Sequence, residues 1–247
     1  MSFQDHFSTQ SAAYAQFRPH YPASLFTWLA QVAPTTGLAW DAATGNGQAA
    51  LALAEHFQQV IATEPSSGQL ANAPSHPHIV YRQEAAERSS LTAGSADLIT
   101  VAQALHWFDL DAFMAEADRV LKPGGVLAIW CYEVFATEPA IDAIVADYYH
   151  HVVGAYWPPE RRWLEQGYAG LAMPYPRLPV PELDMALMWT LDALIGYLGT
   201  WSATQRYKED KQHDPLPVLR KQLAPLWGDA PRRVSWPLRL HACQKPA

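Results

Sequence analysis

"WDAATGNGQAALALAEHFQQVIATEPS", residues 40–66, decides the fold. An apolar run, "LAWDAA", reads as a short buried strand and runs directly into Gly45-x-Gly47-x-x-Ala50. "GQAALALAEHF" then reads as a helix, and "VIATE" as a second strand ending in Glu64, nineteen positions after Gly45. Strand, glycine turn, helix and strand with an acidic end form the fingerprint of a nucleotide-binding βαβ unit. The glycines permit a tight turn and close approach of backbone to a ligand. The Glu64 carboxylate suits ribose hydroxyls and repels a 2′-phosphate. Asp41, four residues before Gly45, is an awkward neighbour for a pyrophosphate but suits an ammonium group or a cationic sulfur.

Working outward, residues 22–33 carry Leu25, Phe26, Leu29 and Val32 at helical spacing, with Pro22 fit for a first turn. "SSGQLANAP" reads as a serine-capped helix, "IVYRQEA" and "ADLITVAQAL" as strands, "DAFMAEADRVL" as an amphipathic helix and "VLAIWCYE" as a fifth strand. Short apolar strands alternating with helices point to a parallel sheet covered on both faces. After residue 135 the texture changes, and residues 154–181 are rich in proline and aromatics. Beyond them "ELDMALMWT" reads as a strand, "LDALIGYLGTWSATQRY" as one helix and "PLPVLRKQLAPLW" as another. "RRVSWPLRLHACQ" reads as a closing strand, with Pro237 at an edge or a bulge.

Composition narrows the partners. Apolar residues make up 49% of the 247 and charged residues 17%, against a usual ~25% charged. The net charge is −7 and no basic run exceeds two residues, which excludes a nucleic-acid grip built on phosphate neutralisation. Two distant cysteines without CxxC give no disulfide framework, so a cytoplasmic setting is expected. "MSFQDHFSTQ" has no signal-peptide pattern, and no apolar run reaches the ~18 residues of a membrane span. The histidine pairs "HPH" and "HH" lack zinc spacing, HExxH is absent, and no metal is expected.

In an open α/β sheet the ligand sits outside the carboxyl ends of the strands, so the candidate sites are Asp41–Gly47, Glu64, Ala86–Glu87 and Ala102–His106. "AQALHWFD", residues 102–109, sets an amide, an imidazole, an indole and a carboxylate just past the fourth strand. His106 in that position can be a general base, a donor to substrate or a locally satisfied ring. Trp107 can face a cation or simply pack.

The ordered set "DAATGNG", "VIATE", "AAE", "SADLITVAQALHWFD", "RVLKPGG" and "VLAIW" resembles the class I S-adenosylmethionine-dependent methyltransferases, of methyltransferase type 11. It is similar in particular to the small-molecule branch that includes trans-aconitate methyltransferases, over about residues 10–133. The resemblance implies a Rossmann-like, doubly wound α/β fold, with a seven-stranded, mostly parallel sheet, helices on both faces and a helical cap. It divides the chain into residues 1–135 (lid and cofactor-binding core), 136–230 (mostly helical substrate cap with a strand near 182–190) and 231–247 (closing strand of the core sheet).

For the cofactor, S-adenosylmethionine, the resemblance implies Asp41, Ala43, Gly45 and Gly47 around the methionine part and ribose, with Glu64 and Pro65 at the ribose hydroxyls. Ala86 and Glu87 would border the adenine, Gln103 and Ala104 the sulfur, and Tyr14 and Arg18 would close over the top, Arg18 toward the methionine carboxylate. The family usually has glycine where this chain has Ala43; alanine is accommodated there if its φ is negative. His106 and Asp109 are the candidate catalytic groups for an acceptor that needs a base. His106, Trp107, Trp157, Arg161 and Trp201 are the candidate acceptor pocket, and Arg161 with Arg162 suits an anion. The expected reaction is in-line methyl transfer to an oxygen, carboxylate or hydroxyl, of a small molecule, by a monomer or homodimer. The rival readings are an NAD-dependent oxidoreductase and a fold that binds cofactor without turnover.

Overall fold

Six strands form the central sheet: β1 (Leu38–Ala42), β2 (Gln59–Thr63), β3 (Ile79–Arg82), β4 (Ala96–Ala102), β5 (Leu121–Tyr132) and, last in the chain, β8 (Leu238–Gln244). They lie in the order β3-β2-β1-β4-β5-β8 in a computed structural model that describes residues 17–247. All pairings are parallel except β5 with β8. β1, β2 and β4 are buried on both faces, which is why their sequences run apolar without period-two alternation. Strand order reverses between β1 and β4, so their carboxyl ends, near Ala42 and Ala102, border the crevice in which such sheets take ligands.

Helices α1 (Ala23–Val32), α2 (Gln48–Ala54) and α4 (Leu110–Val120) flank the sheet, and the short α3 (Ser67–Leu70) is capped by the Ser66 hydroxyl. Leu25, Leu29 and Leu53 pack on one face, while Trp40, Ile99 and Phe113 pack on the other. A third apolar cluster belongs to the cap. It is built by α5 (Pro139–Asp147), α7 (Leu191–Gly199), α8 (Ser202–Lys211) and α9 (Leu216–Trp227), with α6 (Arg161–Glu165) in the intervening irregular segment.

Three expectations are corrected. Among the described residues the sheet has six strands and not seven. The segment expected as one closing strand is two: β7 (Arg232–Ser235) pairs with β6 (Ala186–Trp189) in a separate ribbon, and only β8 joins the sheet. The division falls at Trp236-Pro237, where proline has no N–H for a ladder, and the Trp236 N–H donates to Met185. The helix expected over 191–207 likewise breaks at Thr200 and Trp201. Trp201 takes an extended conformation and buries its ring against Tyr149, Trp157 and Tyr197. Aromatic burial there outweighs two more helical hydrogen bonds.

Candidate active site

The glycine turn is held from below by Asp41. Its carboxylate is wholly buried and accepts from the hydroxyls of Thr44 (2.5 Å) and Thr100 (2.7 Å). Burial pushes its pKa up to about 6, against the pull of those hydrogen bonds. Asp41 is therefore a buried strut between β1, β4 and the turn, and not the open carboxylate that its place at a strand end suggests.

Above it the turn runs through three left-handed residues: Ala43 (φ +55), Gly45 (φ +60) and Gly47 (φ +85). The condition of a negative φ at Ala43 is thus not met. The turn keeps its glycine geometry with an alanine in it, at a cost of about 1 kcal/mol. A side chain at Gly45 would meet open space, whereas one at Gly47 would strike the Tyr81 hydroxyl 2.5 Å away. That hydroxyl is buried with no hydrogen-bond partner among the described residues, and burial with the nearby Asp41 charge lifts its pKa to about 12.

Glu64 ties the turn to the second strand end. One carboxylate oxygen accepts from the Gly45 N–H and the other from the Ser66 N–H, each at 3.0 Å. These bonds set the orientation of the carboxylate. Next to it the Pro65 carbonyl accepts from Gln83. On the following loop Ala86 is buried, and Glu87 accepts from the Asp109 N–H at 3.0 Å. Asp109 itself is the cap of α4, its carboxylate accepting from the Ala112 N–H. An exposed helix cap is no general base for the cleft, and Asp109 is withdrawn from the catalytic candidates.

The fourth strand end supplies the other wall. Gln103 is left-handed (φ +57), donates to the Tyr132 carbonyl, and keeps its Oε1 buried without a partner among the described residues. Ala104 is buried beside it. His106 and half-exposed Trp107 follow in a 3-10 turn, their rings 4.7 Å apart. Gln103, His106 and Trp107 face Trp157, Arg161 and Trp201 of the cap across a cleft of about 670 Å³, open mouth included. The fold thus brings together the whole expected acceptor set. Arg162 points to solvent, and Tyr14 lies outside the described residues.

Arg18 stands at the same cleft. Its guanidinium donates to the Tyr132 hydroxyl (3.0 Å) and sits 5.4 Å from the Tyr197 ring. Two contacts place that segment: Gln48 donates to the Pro19 carbonyl, and the Phe17 ring lies on Gly196, where any side chain would collide with it. Arg161 lies 3.9 Å above the Trp157 ring and donates to the Tyr149 hydroxyl at 2.7 Å. Burial, helped by the Arg161 charge, pushes His106 down to about 3, so the imidazole is neutral near pH 7. Tyr197, expected in the acceptor pocket with Trp201, lines the cleft, whereas sequence reasoning missed Tyr132, Tyr149 and Tyr168, which reach the cleft or its walls from the end of β5 and from the cap. Nothing in their local spacing marks them.

A doubly wound sheet with a glycine turn after β1, an acidic residue after β2 and a polar crevice at its switch point defines a class: proteins that hold an adenosine-bearing cofactor at the strand ends. Similarity to known proteins makes this specific. Residues 40–129 match the family described as a methyltransferase domain. A Dictyostelium discoideum protein named as a methyltransferase is 35% identical over 225 residues, 90% of this chain and 86% of that one. A structure described as a type II methyltransferase from Anaeromyxobacter dehalogenans superposes with TM-score 0.87 at 43% identity, over 94% of this chain and all of that one. Haemonchus contortus phosphoethanolamine N-methyltransferase 2, solved with S-adenosylhomocysteine, shares the fold at 17% identity and TM-score 0.51, over 100% of this chain and 61% of that one. The chain belongs to the class I S-adenosylmethionine-dependent methyltransferases. No helix among the described residues is long and apolar enough to cross a membrane.

Proposed function

We propose that the protein methylates an oxygen of a small anionic molecule, a carboxylate in the first instance, bound between the fourth strand end and the cap. The observation that carries this reading is Arg161. A permanent cation stacked on Trp157 lines the cleft opposite a neutral His106. A charge-assisted bond from its guanidinium to a carboxylate contributes about 1.5–3 kcal/mol where solvent is excluded.

The residues present fit the cofactor. Open ground above Gly45 admits a ligand against the backbone, Glu64 is oriented for ribose hydroxyls, and the Gln103 Oε1, without a partner among the described residues, suits an ammonium donor. In this reading Ala86 and Glu87 border the adenine, Ala104 backs the sulfur side and Arg18 takes the methionine carboxylate. Bound S-adenosylmethionine supplies an electrophilic methyl group on a positively charged sulfur. The protein's part is to align a nucleophilic oxygen with that methyl and to exclude water, which the ring wall of Trp107, Trp157 and Trp201 is built to do. An ionised acceptor needs no base: the C–O bond forms as the C–S bond breaks, and no proton moves.

The test is product analysis. Purified protein with S-adenosylmethionine is offered panels of carboxylic acids, phenols and amines, and methylated products are identified by mass spectrometry. Methyl esters from di- or tricarboxylic acids are expected; methylation of amines alone would overturn the reading.

A further inference from the structure

Tyr168 lies just beyond α6, in the second of two consecutive left-handed residues, Gly167 (φ +58) and Tyr168 (φ +56). That backbone costs tyrosine about 1 kcal/mol, and the surroundings enforce it. The Tyr168 N–H donates to Trp163, its carbonyl accepts from Leu171, and a side chain at Gly167 would run into Arg239. The Tyr168 ring is fully buried, edge-on to Trp163 at 5.2 Å.

The strained turn delivers one atom. The Tyr168 hydroxyl stands 3.0 Å from Nδ1 of His106, its one hydrogen-bond partner among the described residues. A hydroxyl has two lone pairs and one proton. If Nδ1 donated, the proton of this buried hydroxyl would be left without an acceptor among the described residues, so the hydroxyl donates and Nδ1 accepts. A neutral imidazole that accepts at Nδ1 carries its own proton on Nε2. Burial keeps Tyr168 protonated and His106 neutral, so neither partner leaves this arrangement near pH 7.

We propose that Tyr168 is a positioning residue that locks His106 in the Nε2–H tautomer, so that the ring offers the acceptor a hydrogen-bond donor and not a base. The inference rests on the methyl-transfer reading above and narrows it. A donor holds one oxygen of a carboxylate while the other attacks, and it suits an ionised enol or phenol equally. It gives nothing to a neutral alcohol, which must lose a proton to a base. The cleft therefore selects acceptors that arrive already ionised.

The experiment is a long-range ¹H–¹⁵N NMR spectrum of the full chain labelled at histidine, with His106 assigned by loss of its signals in His106→Gln. At pH 7 the wild type should show His106 Nδ1 as the unprotonated nitrogen and Nε2 as the protonated one. Tyr168→Phe fills the same volume without the proton, and its two nitrogen signals should move toward one another as tautomers mix. A wild-type spectrum with the proton on Nδ1 overturns the proposal, whatever the variant's folding. So does a Tyr168→Phe spectrum identical to wild type. In turnover, His106→Gln keeps an N–H donor and should lie closer to wild type than His106→Ala, which should lose roughly tenfold or more in kcat/KM; equal loss in both would also overturn the donor role. If no acid is methylated while the tautomer is as stated, the functional reading fails and the lock stands. If acids are methylated while the ring carries its proton on Nδ1, the lock fails and the functional reading stands.

Discussion

The two walls of the crevice are built by different physics. The sheet-side wall, residues 41–109, is made of backbone turns fixed by short-range hydrogen bonds: Asp41 to Thr44 and Thr100, Glu64 to Gly45 and Ser66, Glu87 to Asp109. The cap-side wall is made of ring faces, Tyr149, Trp157, Tyr197 and Trp201 among them, with Arg161 laid on top. A backbone cradle suits a ligand common to many proteins, because it reads groups every such ligand shares. A wall of side chains can be exchanged residue by residue. On the proposed reading, the protein divides a shared task, holding the methyl donor, from a private one, choosing the acceptor.

The sheet-side wall should be the more brittle, and Gly47 is its most brittle point. Gly47→Ala puts a methyl group 2.5 Å from the Tyr81 hydroxyl at φ +85. Left-handed strain and overpacking together should cost about 2–4 kcal/mol of stability, read by chemical denaturation. Tyr81→Phe in the same chain should return part of the loss; a double variant as unstable as the sum of the singles would remove Tyr81 from the account. Asp41 gives the next largest effect, and it depends on pH. Its folded pKa is raised to about 6 from an ordinary 3.8, so its contribution is fully present below about 3.8 and is lost as pH rises through about 6. The stability of wild type relative to Asp41→Asn should therefore grow as pH is lowered from 7 to 4, by at most about 3 kcal/mol. A difference that does not change with pH would show that the carboxyl titrates normally.

Glu64→Gln sharpens the contrast at the boundary between the walls. It should weaken S-adenosylmethionine binding by about 1–3 kcal/mol, roughly 5- to 150-fold by calorimetry, and leave the acceptor KM alone. A matching rise in acceptor KM would mean that the walls are not separable.

That separation also explains what the sequence discloses and what it hides. The sheet-side wall is legible because its residues are close in sequence and bound to fixed backbone geometry. Gly45, Gly47 and Glu64 fall within one βαβ unit, and 3.6- and 2-residue periods disclose the elements around them. Ala43 shows where this stops, since residue type argues for negative φ while the loop, anchored by Asp41 and Glu64, imposes φ +55. Asp109 misleads because a helix cap and a catalytic carboxylate look alike in sequence. On the cap side Trp157, Arg161 and Trp201 stand out by composition alone. Tyr149 and Tyr168 do not, because side chains that meet across 12 and 62 residues of chain leave no period. Nor does an apolar run say that Trp201 will break a helix or that Pro237 will move the chain from ribbon to sheet.

The smallest expected effect is the one that bears most directly on specificity. Arg161→Met keeps an unbranched side chain over Trp157 and removes the charge, so packing survives better than with alanine. The guanidinium is partly exposed and shares its site with Glu165, so solvent and that carboxylate moderate its pull on a ligand. The loss for an anionic acceptor should therefore be about 1–2 kcal/mol, near tenfold in acceptor KM, with S-adenosylmethionine affinity unchanged. His106 should move in the same variant. Losing the positive neighbour lifts its pKa above about 3, while burial keeps it below its ordinary 6.5. A variant that loses cofactor affinity as well would place Arg161 against the methyl donor and redraw the line between the walls.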